Sequence, residues 1–225
     1  MARSEISLGD VCRGIIQVSY KDALTLAWSS LLTILGSILL LTIGASIIAL
    51  IEMWIETISS ESEGEPISER DRLTMFIFEW RNNLFVGLPY SALLLVIAGG
   101  GYLYLLIGVT SANLFALLWA LLSLYLIVIV LVWVFRAASI RMRTQSQSRS
   151  GFRETMERAA YSLVEEPAFT VLYLVWGGLI ISLTQIFPPA FVLLGPGLLA
   201  VTETVAFEEL FGDGAGKIRA GYARR

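Results

Sequence analysis

The sequence predicts an all-α integral membrane protein, a single polytopic domain over 1–225 with five to six transmembrane helices. Three observations carry this. Hydrophobic residues make up 56% of the 225 and charged residues 16%, against about 45–50% and about 25% in an ordinary soluble domain. The apolar residues are clustered: no charge occurs from Ala23 to Ile51, from Asn82 to Phe135 or from Pro167 to Thr202. Each run exceeds the roughly 20 residues that a membrane-crossing helix needs. Alternation in pieces of about ten residues, expected of a membrane β-barrel, is absent.

The elements follow in chain order. Leu8, Val11, Cys12, Ile15 and Ile16 recur at helical spacing, with Asp10, Arg13 and Gln17 between them. This predicts an amphipathic helix at about 8–20, lying on the membrane surface. The first apolar stretch starts at Ala23. A helix from there to Ile58 would be about 54 Å long at 1.5 Å per residue. That is too long for one passage through a core about 30 Å thick, so a break near Gly44 would divide it into spans at about 23–43 and 45–58, the second short or partial. "SSESEGEPISERD" reads as an acidic loop at 59–71.

Leu73, Phe76, Ile77, Trp80 and Leu84 form the next apolar stripe, with Arg72, Glu79, Arg81 and Asn82 assigned to the opposite face. The reading is a second interfacial helix at about 70–86, its tryptophan suited to the headgroup region. Pro89 lacks an N–H and restricts the residue before it, so it is expected to mark the corner where the chain turns inward. Spans follow at about 89–107 and 113–135. A third interfacial helix, at about 152–165, carries Phe152, Met156, Ala159, Ala160 and Leu163 on one face. The last spans are at about 168–186 and 190–210, separated by Pro188 and Pro189, and 212–225 is a cytoplasmic tail. "GASIIALIE" (Gly44 to Glu52) echoes "GPGLLAVTE" (Gly195 to Glu203). The echo favours three units, each an interfacial helix followed by a hairpin.

Short cytoplasmic loops collect Lys and Arg. Three hairpins put all 16 basic residues on the cytoplasmic side, with both termini. Five spans with the N-terminus outside would leave the three before Ala23 on the other side. Both arrangements place the chain in the cytoplasmic membrane with a cytoplasmic C-terminus. A net charge of -3 gives no reason to expect nucleic acid as a partner, and the acidic, lysine-poor composition fits a microbe with a salty cytoplasm.

The first apolar leg, its Gly-x-x-x-x-Ala returning segment, "FEWRNNLFVGLP" and "GPGLLA" together resemble the YesL-like family of prokaryotic membrane proteins, from about Asp22 to Phe211. The resemblance implies an accessory role beside carbohydrate ABC transporters, whose subunits would be partners along with the lipid bilayer. It implies no catalytic residue.

The residues themselves offer little chemistry. There is no histidine and one cysteine, Cys12, which removes the commonest general base and metal ligand. No metal, cofactor or catalytic residue is expected, and the chain is read as non-enzymatic. Two rivals are a small solute transporter with its site between repeat units and a membrane-embedded enzyme, the latter disfavoured by the missing histidine and carboxylate cluster. "GDGAGK" (Gly212 to Lys217) is one residue short of a phosphate loop and reads as a flexible basic tail. Four residues are functional candidates. Glu203 leads, because an intramembrane carboxylate is a functional hypothesis by default. Glu52 echoes it, and Arg81 and Arg158 are its candidate cationic partners. The competing reading puts Glu203 near the cytoplasmic interface, where replacing it would be silent. Asn113 and Gln185 are expected to cap span ends, and Gly99, Gly100, Gly101, Gly177 and Gly178 to let helices pack closely.

Overall fold

The structure is a computed structural model and describes residues 8–143, 151–211 and 214–224. Among these residues there is no strand. Ten α-helices run in order: α1 (Leu8–Lys21), α2 (Ala23–Ser37), α3 (Ile43–Glu63), α4 (Glu69–Asn82), α5 (Leu84–Thr110), α6 (Leu114–Arg143), α7 (Phe152–Glu165), α8 (Pro167–Ile186), α9 (Pro189–Phe211) and α10 (Ala215–Arg224). Five helical segments are long and apolar enough to cross a membrane: Leu40–Glu63, Leu84–Thr110, Leu114–Arg143, Pro167–Ile186 and Pro189–Phe211. This is an all-α architecture compatible with a multi-pass membrane protein, and its apolar helices suit association with a lipid bilayer.

The long first apolar stretch does break. α2 ends at Ser37, a 3-10 turn covers Leu40–Thr42, and α3 returns against α2. Gly64, with φ 87°, closes α3 in the left-handed conformation that glycine adopts without penalty. The acidic loop is therefore mostly helix, and only 64–68 lie outside α3 and α4. α4 opens on a Ser68 cap that accepts from the Asp71 N–H at 3.2 Å. It ends at Asn82, so the corner is at Asn83 and not at Pro89, which lies inside α5. Asn113 is a cap as expected, its Oδ1 accepting from the N–H groups of Phe115 at 3.0 Å and Ala116 at 3.3 Å. α6 runs eight residues beyond its apolar stretch, to Arg143.

The core is built around α3 and α9. In the most apolar windows of these helices 67% of residues are buried, against 11% in α5 and 17% in α6. The α5–α6 hairpin thus stands largely clear of the bundle, and its exposed surface is aliphatic and aromatic. α1 and α10 pack on each other, which puts the two described chain ends together. Residues 215–224 are not a flexible tail but the helix α10, whose Ala215, Ile218 and Tyr222 are buried.

Glycine permits the tightest crossings, though mostly not the glycines singled out from sequence. A Cβ on Gly99, Gly100, Gly177 or Gly178 would meet nothing within 4 Å, and of the five only Gly101 is packed, on Ser123. The closest approach is between α3 and α5. A Cβ on Gly44 would lie 2.2 Å from the carbonyl oxygen of Gly87, and one on Gly87 would lie 2.2 Å from the nitrogen of Ala45. The Gly44 N–H donates to Ser91 Oγ at 2.8 Å. At the α2–α9 crossing, the Gly197 N–H donates to Ser30 Oγ at 2.9 Å, one residue past Pro196, which is itself inside α9. Serine hydroxyls so satisfy a backbone N–H at each crossing, one in the first turn of α3 and one beside Pro196. Because backbone atoms are the obstacle, Gly44→Ala is expected to cost at the upper end of the about 1–3 kcal/mol typical of overpacking. Thermal unfolding in detergent would show it, and an unchanged midpoint would contradict the crossing.

Candidate functional site

Two groups of charged side chains are enclosed by the helices. The first gathers around Glu203 on α9. Glu203 is 0% exposed, and the Arg136 Nε lies 3.2 Å from its Oε1, with the arginine side chain 1% exposed. The contact is a charge pair rather than an aligned hydrogen bond. Tyr173 on α8 donates its hydroxyl proton to Glu203 Oε2. Further along both helices, Arg143 pairs with Glu208. The Phe207 ring lies beneath both guanidiniums, at 5.8 Å from Arg136 and 4.4 Å from Arg143, a cation–π arrangement. Glu203 and Phe207 share a face of α9 because four residues are close to one full turn, and Glu208 follows Phe207 in the chain. Arg136 and Arg143 share a face of α6 for the same reason, being two turns apart.

This places the sequence candidates. Glu203 is enclosed rather than at the water surface. Neither proposed partner reaches it: Arg158 pairs with Glu154 on its own helix, and Arg81 is exposed near the end of α4. The cation comes instead from Arg136, the first charge after the apolar run of α6. The helical period continues unbroken past Phe135, and that continuation was the available signal. Glu52 is half-buried on α3, so the two carboxylates of the glycine-to-glutamate echo occupy unequal environments.

The second group joins both ends of the chain. Arg72, assigned to the polar face of α4, is 1% exposed. Its Nη1 donates to Asp22 Oδ1 at 3.0 Å and to Thr25 Oγ1 at 2.8 Å, and its Nη2 donates to Glu61 Oε1 at 3.0 Å. Glu69 Oε1 is 3.4 Å from the same Nη1. Glu69 also accepts from Thr25 at 2.7 Å and from the Trp28 indole N–H at 2.9 Å. Tyr222 on α10 donates to Asp22 Oδ2 at 2.7 Å, while Lys21 donates to the Tyr222 carbonyl. One arginine thereby ties the α1–α2 junction, the end of α3 and the start of α4, and Asp22 passes the link to α10. Five donors in a planar fork let arginine hold oxygens that stand farther apart than a compact lysine ammonium can reach.

The Tyr222 phenol is held well above its ordinary value of 10.0, first by burial and then by the negative charge of Asp22. The folded state therefore keeps this proton more tightly than the unfolded chain. The stability it contributes is fully present below the ordinary phenol range near pH 10 and is lost as pH rises from there through the raised folded value. Wild-type protein is expected to lose stability across that alkaline window, and Tyr222→Phe to flatten the loss. Parallel alkaline unfolding curves for the two proteins would contradict the assignment.

Among the described residues no group of three or more His, Cys, Asp or Glu side chains could hold a metal ion. A groove of about 480 Å³ lies between α5 and α6 and is lined by Ala98, Gly101, Leu117, Ala120 and Ser123 among others. It is far more apolar than polar. The arrangement of the two charged groups is that of clasps between helices: each acid within them is met by an arginine or a hydroxyl. Protein-family models, curated proteins and solved structures were compared with the chain, and none matches it.

Proposed function

We propose that this chain is a non-enzymatic protein of the cytoplasmic membrane that serves as an accessory subunit, with the α5–α6 hairpin as its partner-binding element and both termini cytoplasmic. The observation that carries the reading is a division of labour. The charged side chains of the bundle are spent on one another, across α6, α8 and α9 and across α2, α3, α4 and α10. The α5–α6 hairpin stands clear with its apolar surface open. Between membrane helices, small residues permit close approach, and Ala98, Gly101, Ala120 and Ser123 line the hairpin groove. The YesL-like resemblance makes subunits of a carbohydrate ABC transporter the partner class. The clustering of Arg and Lys outside the apolar runs supports the cytoplasmic orientation. A photo-crosslinking residue at Leu121 in native membranes tests the reading. Crosslinks to transporter subunits are expected, and adducts with lipid alone would overturn it.

A second reading, a small solute transporter, draws on the enclosed Arg136, Glu203 and Tyr173 in apolar helices, since such groups can mark a transport path. Proteoliposome uptake that survives in wild type and vanishes in Glu203→Gln, with folding intact, would favour it.

A further inference from the structure

We propose that the first hairpin, α2–α3, does not cross the bilayer: it enters and leaves by the face that holds the chain ends, and its Ile38–Leu41 turn is bathed in the acyl chains of that leaflet. α3 is long and apolar enough to cross, so the inference rests on what is packed beside it.

The decisive element is α4. Its first turn sits at the open end of the hairpin, where Arg72 reaches Asp22 and Glu61 and Glu69 reaches Thr25 and Trp28. Its last turn sits near the closed end, where the Trp80 indole N–H donates to Ser46 Oγ at 3.1 Å beside Gly36. α4 therefore accompanies the hairpin from opening to turn. If the hairpin crossed, α4 would cross with it. It has 14 residues, about 21 Å of helix at 1.5 Å per residue, and a crossing needs about 20 residues. It also carries Glu69, Arg70, Asp71, Arg72, Glu79 and Arg81, with Arg81 and Asn82 exposed close to the turn. A helix so short and so charged does not cross the hydrocarbon, and the hairpin bound along it does not cross either.

Two rulers agree. On α3, exposed Glu56 and the Ser46 level, marked by exposed Arg81, are ten residues apart, or about 15 Å by the helix rise. Charges so spaced cannot lie on opposite faces of a core about 30 Å thick. On α5, Gly87 touches Gly44 at the hairpin turn, only four residues past Asn83, or about 6 Å. The polar far turn around Thr110, Ser111 and Asn113 lies about 35 Å further along the same helix.

The turn is also built for hydrocarbon. Ile38, Leu39, Leu40 and Leu41 are all exposed, whereas the far turn of α5–α6 is polar. Polar groups around the hairpin turn are met internally. Ser37 donates to the Thr33 carbonyl at 2.6 Å, Thr42 donates to the Gly36 carbonyl, and Ser46 donates to the Thr42 carbonyl at 3.1 Å. The N–H groups of Ile38 and Thr42 reach Leu35 and Leu39. Irregular backbone needs such provision away from water.

The test uses full-length protein in sealed vesicles of both orientations, in a Cys12→Ser background. Leu40→Cys, Ser111→Cys and Glu56→Cys are treated with a membrane-impermeant maleimide, and a nitroxide on Leu40→Cys reports collision with oxygen and with a nickel chelate. Glu56→Cys and Ser111→Cys are expected to react from opposite faces and Leu40→Cys from neither. The nitroxide is expected to favour oxygen over the chelate at a shallower depth than one on Leu103→Cys in α5. Reaction of Leu40→Cys from the Ser111 face would show that the hairpin crosses. Reaction from the Glu56 face would place the turn in water. Either result overturns the proposal.

Discussion

Replacing Arg72 by methionine is expected to lower stability by about 3–5 kcal/mol, the cost of leaving buried charge without its partner. Arg72 is within hydrogen-bonding distance of both Asp22 Oδ1 and Glu61 Oε1, and all three side chains are almost wholly enclosed. Without it two carboxylates would face each other inside the bundle. The loss should also loosen the chain ends, because Asp22 holds α10 through Tyr222. Thermal unfolding in detergent reads the first effect, and limited proteolysis near 214–224 reads the second. Arg72→Lys is expected to rescue little, since an ammonium lacks the fork that reaches both acids. A methionine variant as stable as wild type, with its C-terminal helix equally protected, would show that the cluster holds nothing together.

Glu203→Gln is expected to be the second most damaging change, again by about 3–5 kcal/mol. The amide keeps the shape and still accepts from Tyr173, but it strands the Arg136 guanidinium, whose Nη1 has no hydrogen-bond partner in the described structure. α8 should loosen as well, because it is peripheral and Tyr173 is its polar tie to α9. Arg158→Gln and Arg81→Gln are expected to stay within about 0.5 kcal/mol of wild type, as exposed surface substitutions do. Arg158 is half exposed in a pair with Glu154 on the same helix. A silent Glu203→Gln would favour the competing reading of the sequence, in which Glu203 lies at the water interface.

The apolar runs and their punctuation made most of the helices legible. Asn113, Pro167 and Pro189 end or open helices because their backbone chemistry is local, and local chemistry is what a sequence displays; Gly64, which ends α3 inside the stretch read as a loop, went unread. The charged interior was less visible. Amphipathic periodicity sorts residues into faces by polarity, so it sends Arg72 to the solvent side, although two buried acids meet it from the α1–α2 junction and from α3. Glu203 stood out as a charge in an apolar run. Its partner did not, because Arg136 lies 67 positions away in the chain, and pairing at that distance is decided by packing that no pattern records. The glycine pair Gly44 and Gly87 hid for the same reason. A glycine matters where another backbone arrives, and Gly99 and Gly100, more conspicuous in sequence, meet nothing.

The central claim is that Arg136 and Glu203 act as one structural unit clasping α6 to α9. A double-mutant cycle tests it most directly, with Arg136→Met, Glu203→Leu and the combined variant unfolded under one set of detergent conditions. Each single change removes one charge and strands the other, so the pair together should cost much less than the two singles summed. A coupling of about 2 kcal/mol or more is expected, within the range for groups in contact. Additivity to within about 0.5 kcal/mol, the behaviour of independent sites, would contradict the clasp.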